Sequence, residues 1–321
     1  MKAIVYTKYG GPEVLQLKEV ERPTPNDNQV LVKVHAASAN AMDYRRFETI
    51  SLMGRLMDEW VIKANNTILG ADVAGTVEAV GKNVTEFKPG DEVFGVAPGA
   101  FAEYACNGAS KFALKPANVS FEEAAAVPVA ALTALQGLRD KGQIQPGQKV
   151  LIDGASGGVG TLAVQIAKAF GAEVTAVCST RNLEMARSIG ADHVVDYTRE
   201  DFTKNKQNYD LILAVNGYHP ILDYKRALSL QGICVVVGGS LAQVFQTILL
   251  GPLVSRAGSK KIGFMGIATT PKKDLLFLKE LLEARKVVPV IDKCYPLSET
   301  AEAIRYIVEE HAQGKVVIET R

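Results

Sequence analysis

A chain of 321 residues is long enough for one large or two medium domains. Its 36 basic and 35 acidic residues nearly cancel to a net charge of +1, so neither a basic face for nucleic acid nor a polybasic segment for an anionic membrane is expected. With 47% apolar and 22% charged residues it can bury a full core, and no apolar run reaches the roughly 18 residues that a spanning helix needs.

The N-terminus, MKAIVYTKYG, reads as a strand and a turn and not as a signal peptide. Short strands are predicted at 2–7, 14–19, 29–37, 71–80, 92–96 and 102–105. Turn signals separate them, among them Gly10-Gly11-Pro12, Gly81-Lys82-Asn83 and Lys88-Pro89-Gly90-Asp91. Between the third and fourth of these strands, residues 47–66 carry Met53, Leu56, Met57, Trp60 and Val61 at helical spacing. This predicts an amphipathic helix, either packed on the β-rich part or covering the mouth of a site for a large apolar acceptor. Ser120 and Glu123 form a capping box, so a helix begins there, and another is expected over 129–141.

From 149 to about 267 strands and helices alternate, the mark of a doubly wound sheet. Strands are expected at 149–153, 173–178, 193–196, 211–215, 232–237 and 261–267. A long helix capped by Thr270-Pro271, a strand at 287–291, a helix near 299–311 and a strand at 315–319 close the chain. Cys106, Cys178, Cys234 and Cys294 make no C-x-x-C pair, so neither a disulfide framework nor a zinc site is indicated, and a reducing, cytoplasmic setting is expected.

The most informative stretch runs from Lys149 to Arg181: KVLIDGASGGVGTLAVQIAKAFGAEVTAVCSTR. An apolar strand, a glycine cluster, an amphipathic helix stopped at Gly171 and a second apolar strand make one strand–turn–helix–strand unit. Against G-x-G-x-x-G the match is Ala155, Gly157 and Gly160. Ser156, Gly157, Gly158 and Val159 would hold a pyrophosphate at the helix start; the alternative is a tight structural turn with no ligand. The second strand ends in Cys178-Ser179-Thr180-Arg181, without the acid that would hold a ribose 2′-hydroxyl. A hydroxyl and a guanidinium suit a 2′-phosphate instead, so NADPH is expected rather than NADH, with Ser179 and Arg181 at that phosphate; the alternative for Arg181 is an exposed helix-start arginine.

The β-rich N-terminus, the motif GASGGVG and the ending SETAEAIRYIVEEHAQGKVVI resemble the medium-chain dehydrogenase/reductase superfamily over essentially the whole chain. Within it the chain is similar to the zinc-free quinone oxidoreductase branch, particularly the reticulon-interacting and chloroplast-envelope types. The resemblance implies an α/β fold: a GroES-like β-rich substrate domain over 1–119, completed by 268–321, and a doubly wound Rossmann domain over 120–267. It also implies a homodimer formed through an exposed strand of the cofactor domain. The activity implied is hydride transfer from NADPH to quinones or activated alkenals. The alternatives are a zinc-type alcohol dehydrogenase, or a non-catalytic dinucleotide-binding, redox-sensing module of the same fold.

Ligand chemistry separates these readings. The place of the first zinc cysteine resembles Asn40, in SANAMDYR, and the usual G-H-E reads Gly70-Ala71-Asp72, so no metal is expected. Carried over by resemblance, Asn40 and Asp43 lie at the floor of the site, with Tyr44 either a proton donor or a wall. Asp43 could equally be a structural carboxylate paired with Arg45 or Arg46. Thr133 matches a position near the nicotinamide, or is a helix threonine bonding back to a carbonyl. Tyr197 meets the 2′-phosphate or is a strand-end aromatic. Asn216, Gly238 and Gly239 follow the fourth and fifth strands, and Phe264, Met265 and Gly266 resemble the segment that meets the carboxamide. Lys315 resembles a C-terminal cofactor contact, or is a solvated turn lysine.

Overall fold

The computed structural model describes residues 1–47, 67–205, 207–216, 218–239, 241–256, 258–310 and 312–320. The helix expected around Met53–Val61, and the lid reading that goes with it, lie outside these residues. The chain forms two compact units. One comprises Met1–Val129, Thr270–Glu283 and Pro289–Arg321; the other comprises Ala130–Thr269 and Ala284–Val288.

In the first unit the chain runs through β1 (Lys2–Tyr6), β2 (Gln16–Glu19), β3 (Gln29–Ala39), α1 (Ala41–Phe47), β4 (Thr67–Ile68), β5 (Asp72–Val80), β6 (Glu92–Val96), β7 (Tyr104–Gly108), β8 (Phe112–Leu114) and α2 (Phe121–Ala125). Helix α3 (Pro128–Gln136) leads into the second unit, which holds β9 (Lys149–Asp153), α4 (Gly158–Ala169), β10 (Glu173–Cys178), α5 (Leu183–Ser188), β11 (His193–Asp196), β12 (Tyr209–Ala214), α6 (Ile221–Ala227), β13 (Leu228–Val236), α7 (Leu241–Arg256) and β14 (Lys261–Phe264). The chain then returns to the first unit with α8 (Lys272–Glu283), β15 (Ile291–Pro296), α9 (Thr300–Glu309) and β16 (Lys315–Glu319).

Among the described residues the first unit has a small antiparallel sheet, β2-β1-β4, and a seven-stranded one ordered β15-β16-β3-β5-β6-β8, with β7 also pairing β3. Strand β3 is the spine: residues 29–33 pair β7 and residues 36–39 pair β16, while its other edge pairs β5. Val30, Val32 and Val34 alternate into a core with Val73, Val77, Val93, Phe112, Ile304, Val316 and Ile318. Helix α2 packs against β3 and β5, so the unit boundary falls after Val129 rather than at 119.

The second unit is a six-stranded parallel sheet ordered β11-β10-β9-β12-β13-β14, the doubly wound arrangement. Its central strands are buried on both faces, which is why Val150, Leu151 and Ile152 read as an unbroken apolar run. The order reverses between β9 and β12, the place where this architecture opens a ligand crevice.

Several predicted bounds shift for local reasons. Pro12–Val14 turns as a short 3-10 helix, so β2 begins at Gln16. Strand β14 stops at Phe264, two residues before Gly266 takes a φ of +80°. The strand expected at 287–291 forms at Ile291–Pro296 instead, paired with β16. Gly171 does end α4, with a φ of +80°. Among the described residues no helix is long and apolar enough to cross a membrane.

The capping box forms as read: Ser120 Oγ accepts from Glu123 N (3.1 Å) and Glu123 Oε2 accepts from Ser120 N (2.9 Å). Ser120→Ala should therefore lower stability by about 1 kcal/mol. Denaturant unfolding checks this, and an unchanged midpoint would show that the cap contributes nothing.

Candidate active site

The glycine turn is built by close approach. Gly154 follows β9 with a φ of +86°, and a Cβ on Gly160 would run into the Gly154 carbonyl oxygen, so α4 can seat against the strand end only without a side chain there. Gly157 caps α4 with no side-chain hydrogen bond, and a Cβ there would meet nothing nearer than 4.0 Å. The first turn of α4 has no intrahelical acceptors for its N–H groups, and these sit at the positive end of the helix dipole. Ser156, Gly157, Gly158 and Val159 line this turn, half-buried. The arrangement fits a pyrophosphate.

Beside it, Asn216 follows β12, its backbone N–H donating to Asp153 O at 3.4 Å, and it packs against Gly154. Gly239 has a φ of +125°, and a Cβ on Gly238 would crowd the Val215 carbonyl. Met265 is buried, donating its N–H to Val236 O at 2.8 Å, while a Cβ on Gly266 would meet open space. The helix carrying Thr133 lies close to this segment: a Cβ on Gly137 would meet Leu213, Met265 and Val237. Every residue from Ala130 to Leu138 is buried except Thr133, which is half-buried. Gln136 clamps the chain beyond Gly266, its amide giving to Thr269 O (2.9 Å) and taking from Thr269 N (3.0 Å). The second unit thus brings Thr133, Ser156–Val159, Asn216, Gly238, Gly239 and Phe264–Gly266 to one region of the sheet. The π-helical turn Gly137–Lys141 and the Gln136 clamp went unread in the sequence; a buried Gln in an otherwise apolar run was the available signal.

Just past the C-terminal end of β10, Ser179 Oγ accepts from Asn182 Nδ2 (3.0 Å), and Arg181 and Tyr197 are exposed. An acid does stand close by, on the neighbouring strand. Asp196 pairs in register with Cys178 and accepts from Thr180 Oγ1 (2.5 Å), Thr198 Oγ1 (2.7 Å) and Thr198 N (3.0 Å). These donors, the Thr180 hydroxyl first, hold its carboxyl below the usual range, and Arg199 adds a guanidinium at 3.5 Å. Its register beside β10 was not visible from the linear sequence.

Beneath the glycine turn Asp153 is buried and accepts from Tyr224 OH at 2.5 Å. Burial pushes the Asp153 carboxyl up, partly offset by that hydrogen bond, and burial with the neighbouring carboxylate pushes the Tyr224 phenol up as well.

In the first unit, Asn40, Asp43 and Lys315 come together. Asp43 is buried at the start of α1, and its Oδ2 accepts from Asn40 N at 2.8 Å, a capping role. Tyr44 packs against the β-core. Lys315 is no solvated turn residue: it is buried, donating to Ala39 O (3.1 Å), Asn40 Oδ1 (2.7 Å) and Asp72 Oδ2 (3.3 Å). Asp72, seen in the sequence only as part of a missing zinc motif, is the centre of this cluster. Among the described residues no group of three or more His, Cys, Asp or Glu side chains is placed to hold a metal ion.

Comparison with known proteins places this architecture. The family model described as "Alcohol dehydrogenase GroES-like domain" matches residues 26–136, and that described as "Zinc-binding dehydrogenase" matches residues 189–318. The chain is 36% identical to a 2-methylene-furan-3-one reductase of Solanum lycopersicum, over 99% of this chain and 79% of the relative. It is 33% identical to a chloroplast envelope quinone oxidoreductase homolog of Arabidopsis thaliana, over 99% and 98%. The solved quinone oxidoreductase from Coxiella burnetii superposes with a TM-score of 0.87 at 30% identity, covering 100% of this chain and 99% of that one. The chain belongs to the quinone oxidoreductase branch of the medium-chain dehydrogenase/reductase superfamily. The expected GroES-like and Rossmann folds of this oxidoreductase are therefore both present.

The buried Asp153 gives this oxidoreductase a pH signature. Its native carboxyl holds a proton to higher pH than in the unfolded chain, so folding stability falls as pH rises from about 4 through the raised value. Asp153→Asn removes that slope and should gain on the wild type as pH rises from about 4 toward neutrality. Thermal melts across that range check it; a constant gap would show that Asp153 titrates normally.

Proposed function

We propose that the protein is a zinc-independent, NADPH-dependent oxidoreductase that passes hydride to quinones or activated alkenes such as enals and enones. The observation that carries this reading is the strand–turn–helix from Asp153 to Gly160, whose glycine-rich helix start is shaped for a pyrophosphate. The relatives supply the chemistry: one is named an NADPH-dependent alkenal/one oxidoreductase, 34% identical over 99% of this chain and 79% of its own.

A bound reduced nicotinamide would supply the hydride. This chain's residues do the holding. The first-turn N–H groups of α4 take the pyrophosphate; Asn216, Gly238 and Gly239 leave room for backbone contact; and Phe264–Gly266, braced by Gln136, meets the carboxamide beside Thr133. Ser179 and Arg181, with Tyr197 alongside, take the 2′-phosphate, while the ionised Asp196 turns its oxygens to its threonine donors and to Arg199. Asn40, Asp43 and Tyr44 belong to the acceptor side. Positions 40 and 71 offer an amide and a methyl, not a thiolate and an imidazole, and the Asn40 amide is already bonded at both ends. Quinones and activated alkenes accept hydride with little electrophilic help, so this donor set suits them better than simple ketones.

The four cysteines are all free thiols, which suits a reducing compartment, and the cytoplasm is part of this reading. So is a homodimer. Its strand-edge form meets an obstacle at β14, where Ile262 N–H donates to Ser255 Oγ at 3.0 Å and Ser255 Oγ donates to Ile262 O at 3.3 Å. Met265 N–H points to β13, so by alternation Ile262 faces the outer edge, and copies would meet through side chains rather than through a continued ladder at that residue.

NADPH should be oxidised in the presence of quinones and enals, with no NADP-dependent oxidation of simple alcohols. An absence of turnover with every acceptor would favour the redox-sensing module. Arg181→Ala should raise the KM for NADPH about 10- to 100-fold, as expected for one lost charge-assisted bond, and leave that for NADH within about twofold. Equal losses would contradict the 2′-phosphate assignment.

A further inference from the structure

The Asp72 carboxylate is fully buried and accepts at every side. Oδ2 takes Ser38 Oγ (2.7 Å), Asn40 Nδ2 (2.9 Å) and Lys315 Nζ (3.3 Å), and Oδ1 takes Val129 N (2.7 Å). Lys315, with only 3% of its side chain exposed, has three N–H groups and three acceptors: Asp72 Oδ2, Ala39 O and Asn40 Oδ1. No N–H of Lys315 is left for a ligand.

Asn40 is held between these opposite charges. Its Nδ2 donates to Asp72 Oδ2 and, at 3.3 Å, to Ser38 O, while its Oδ1 accepts from Lys315 at 2.7 Å. Turning the amide over would set NH2 against an ammonium and C=O against a carboxylate, both repulsive and both out of water. One orientation survives. Both amide protons are then spent internally, and the one group that Asn40 keeps for a ligand is the second lone pair on Oδ1.

We propose that Lys315 and Asp72 are positioning residues that lock the Asn40 amide, so that Asn40 serves as a hydrogen-bond acceptor for an O–H or N–H of the bound partner. It is then not a donor to the oxygen of a quinone or enone, and Lys315 is not a direct cofactor contact. The proposal rests on the assignment of Asn40 to the acceptor side of the reaction. It is the charges at both ends that do the locking; a neutral pair could hold the site together without choosing the orientation.

The test pairs the charge-free double variant Asp72→Asn/Lys315→Met, which leaves no lone buried charge, with Asn40→Ala and with the triple variant. In the double variant kcat with a quinone acceptor should fall about 10- to 100-fold, with the KM for NADPH within about twofold. The triple variant should be no slower than Asn40→Ala alone, because the pair acts through Asn40. In the cofactor-free wild type, NMR should find the Asn40 side-chain NH2 protected from solvent exchange, and in the double variant exchanging at least about tenfold faster. Three results would overturn the proposal: a bulk-like exchange rate in the wild type, losses that multiply in the triple variant, or a raised KM for NADPH at unchanged kcat, the mark of a direct Lys315–cofactor contact. If Asn40→Ala alone keeps wild-type kcat, the placing of Asn40 at the reaction fails, while the exchange rates still decide whether the lock exists.

Discussion

A carboxylate taken out of water must find donors from wherever the fold can supply them, and Asp72 draws four of them from three distant stretches of the chain. Ser38 and Asn40 come from the end of β3, Val129 from the start of α3 and Lys315 from the start of β16. An unpaired buried charge is far more costly than a lost hydrogen bond, so each of these segments is tied to the others. The C-terminal strand closes onto β3 with its first residue, Lys315, supplying the countercharge. Unit closure and the orientation of Asn40 are therefore consequences of one requirement.

The glycine turn of the second unit uses a different device. Under the proposed function the charge would be brought in by a ligand and met by backbone N–H groups. Gly160 and Gly154 allow α4 to abut the end of β9, and Gly157 leaves the helix start bare. Directly below, burial pushes the Asp153 carboxyl up, while the Tyr224 hydroxyl that donates to it offsets part of that rise. The two units thus treat a buried acid differently: Asp72 meets a fixed countercharge, whereas Asp153 meets only a hydroxyl and its carboxyl is pushed up.

Legibility followed the range of the interactions. The glycine turn, the Ser120 capping box and the helix stop at Gly171 were readable because each is written within a few residues. The family resemblance was readable too, because it spreads over the whole chain. Strand limits near Gly266 and Val287 slipped, since a positive φ in one case and pairing with β16 in the other set the ends. In the linear sequence Asp72 stands out only as part of a missing zinc motif, and Lys315 reads equally well as a solvated turn lysine, although it is buried. Asp196 gives no local signal, because its place next to Cys178 depends on strand order.

By itself, then, the sequence determined the alternation of strands and helices, the glycine turn at the start of α4 and the family, all of which rest on local periodicity and spacing. Only the tertiary structure decided that Asp72, Asn40 and Lys315 form one buried cluster, that Asp196 is satisfied by threonines, and that Gln136 braces the segment after Gly266. The reason is physical. A hydrogen bond across 275 residues of chain leaves no periodic trace, and what it contributes depends on burial that the packing of the whole unit creates.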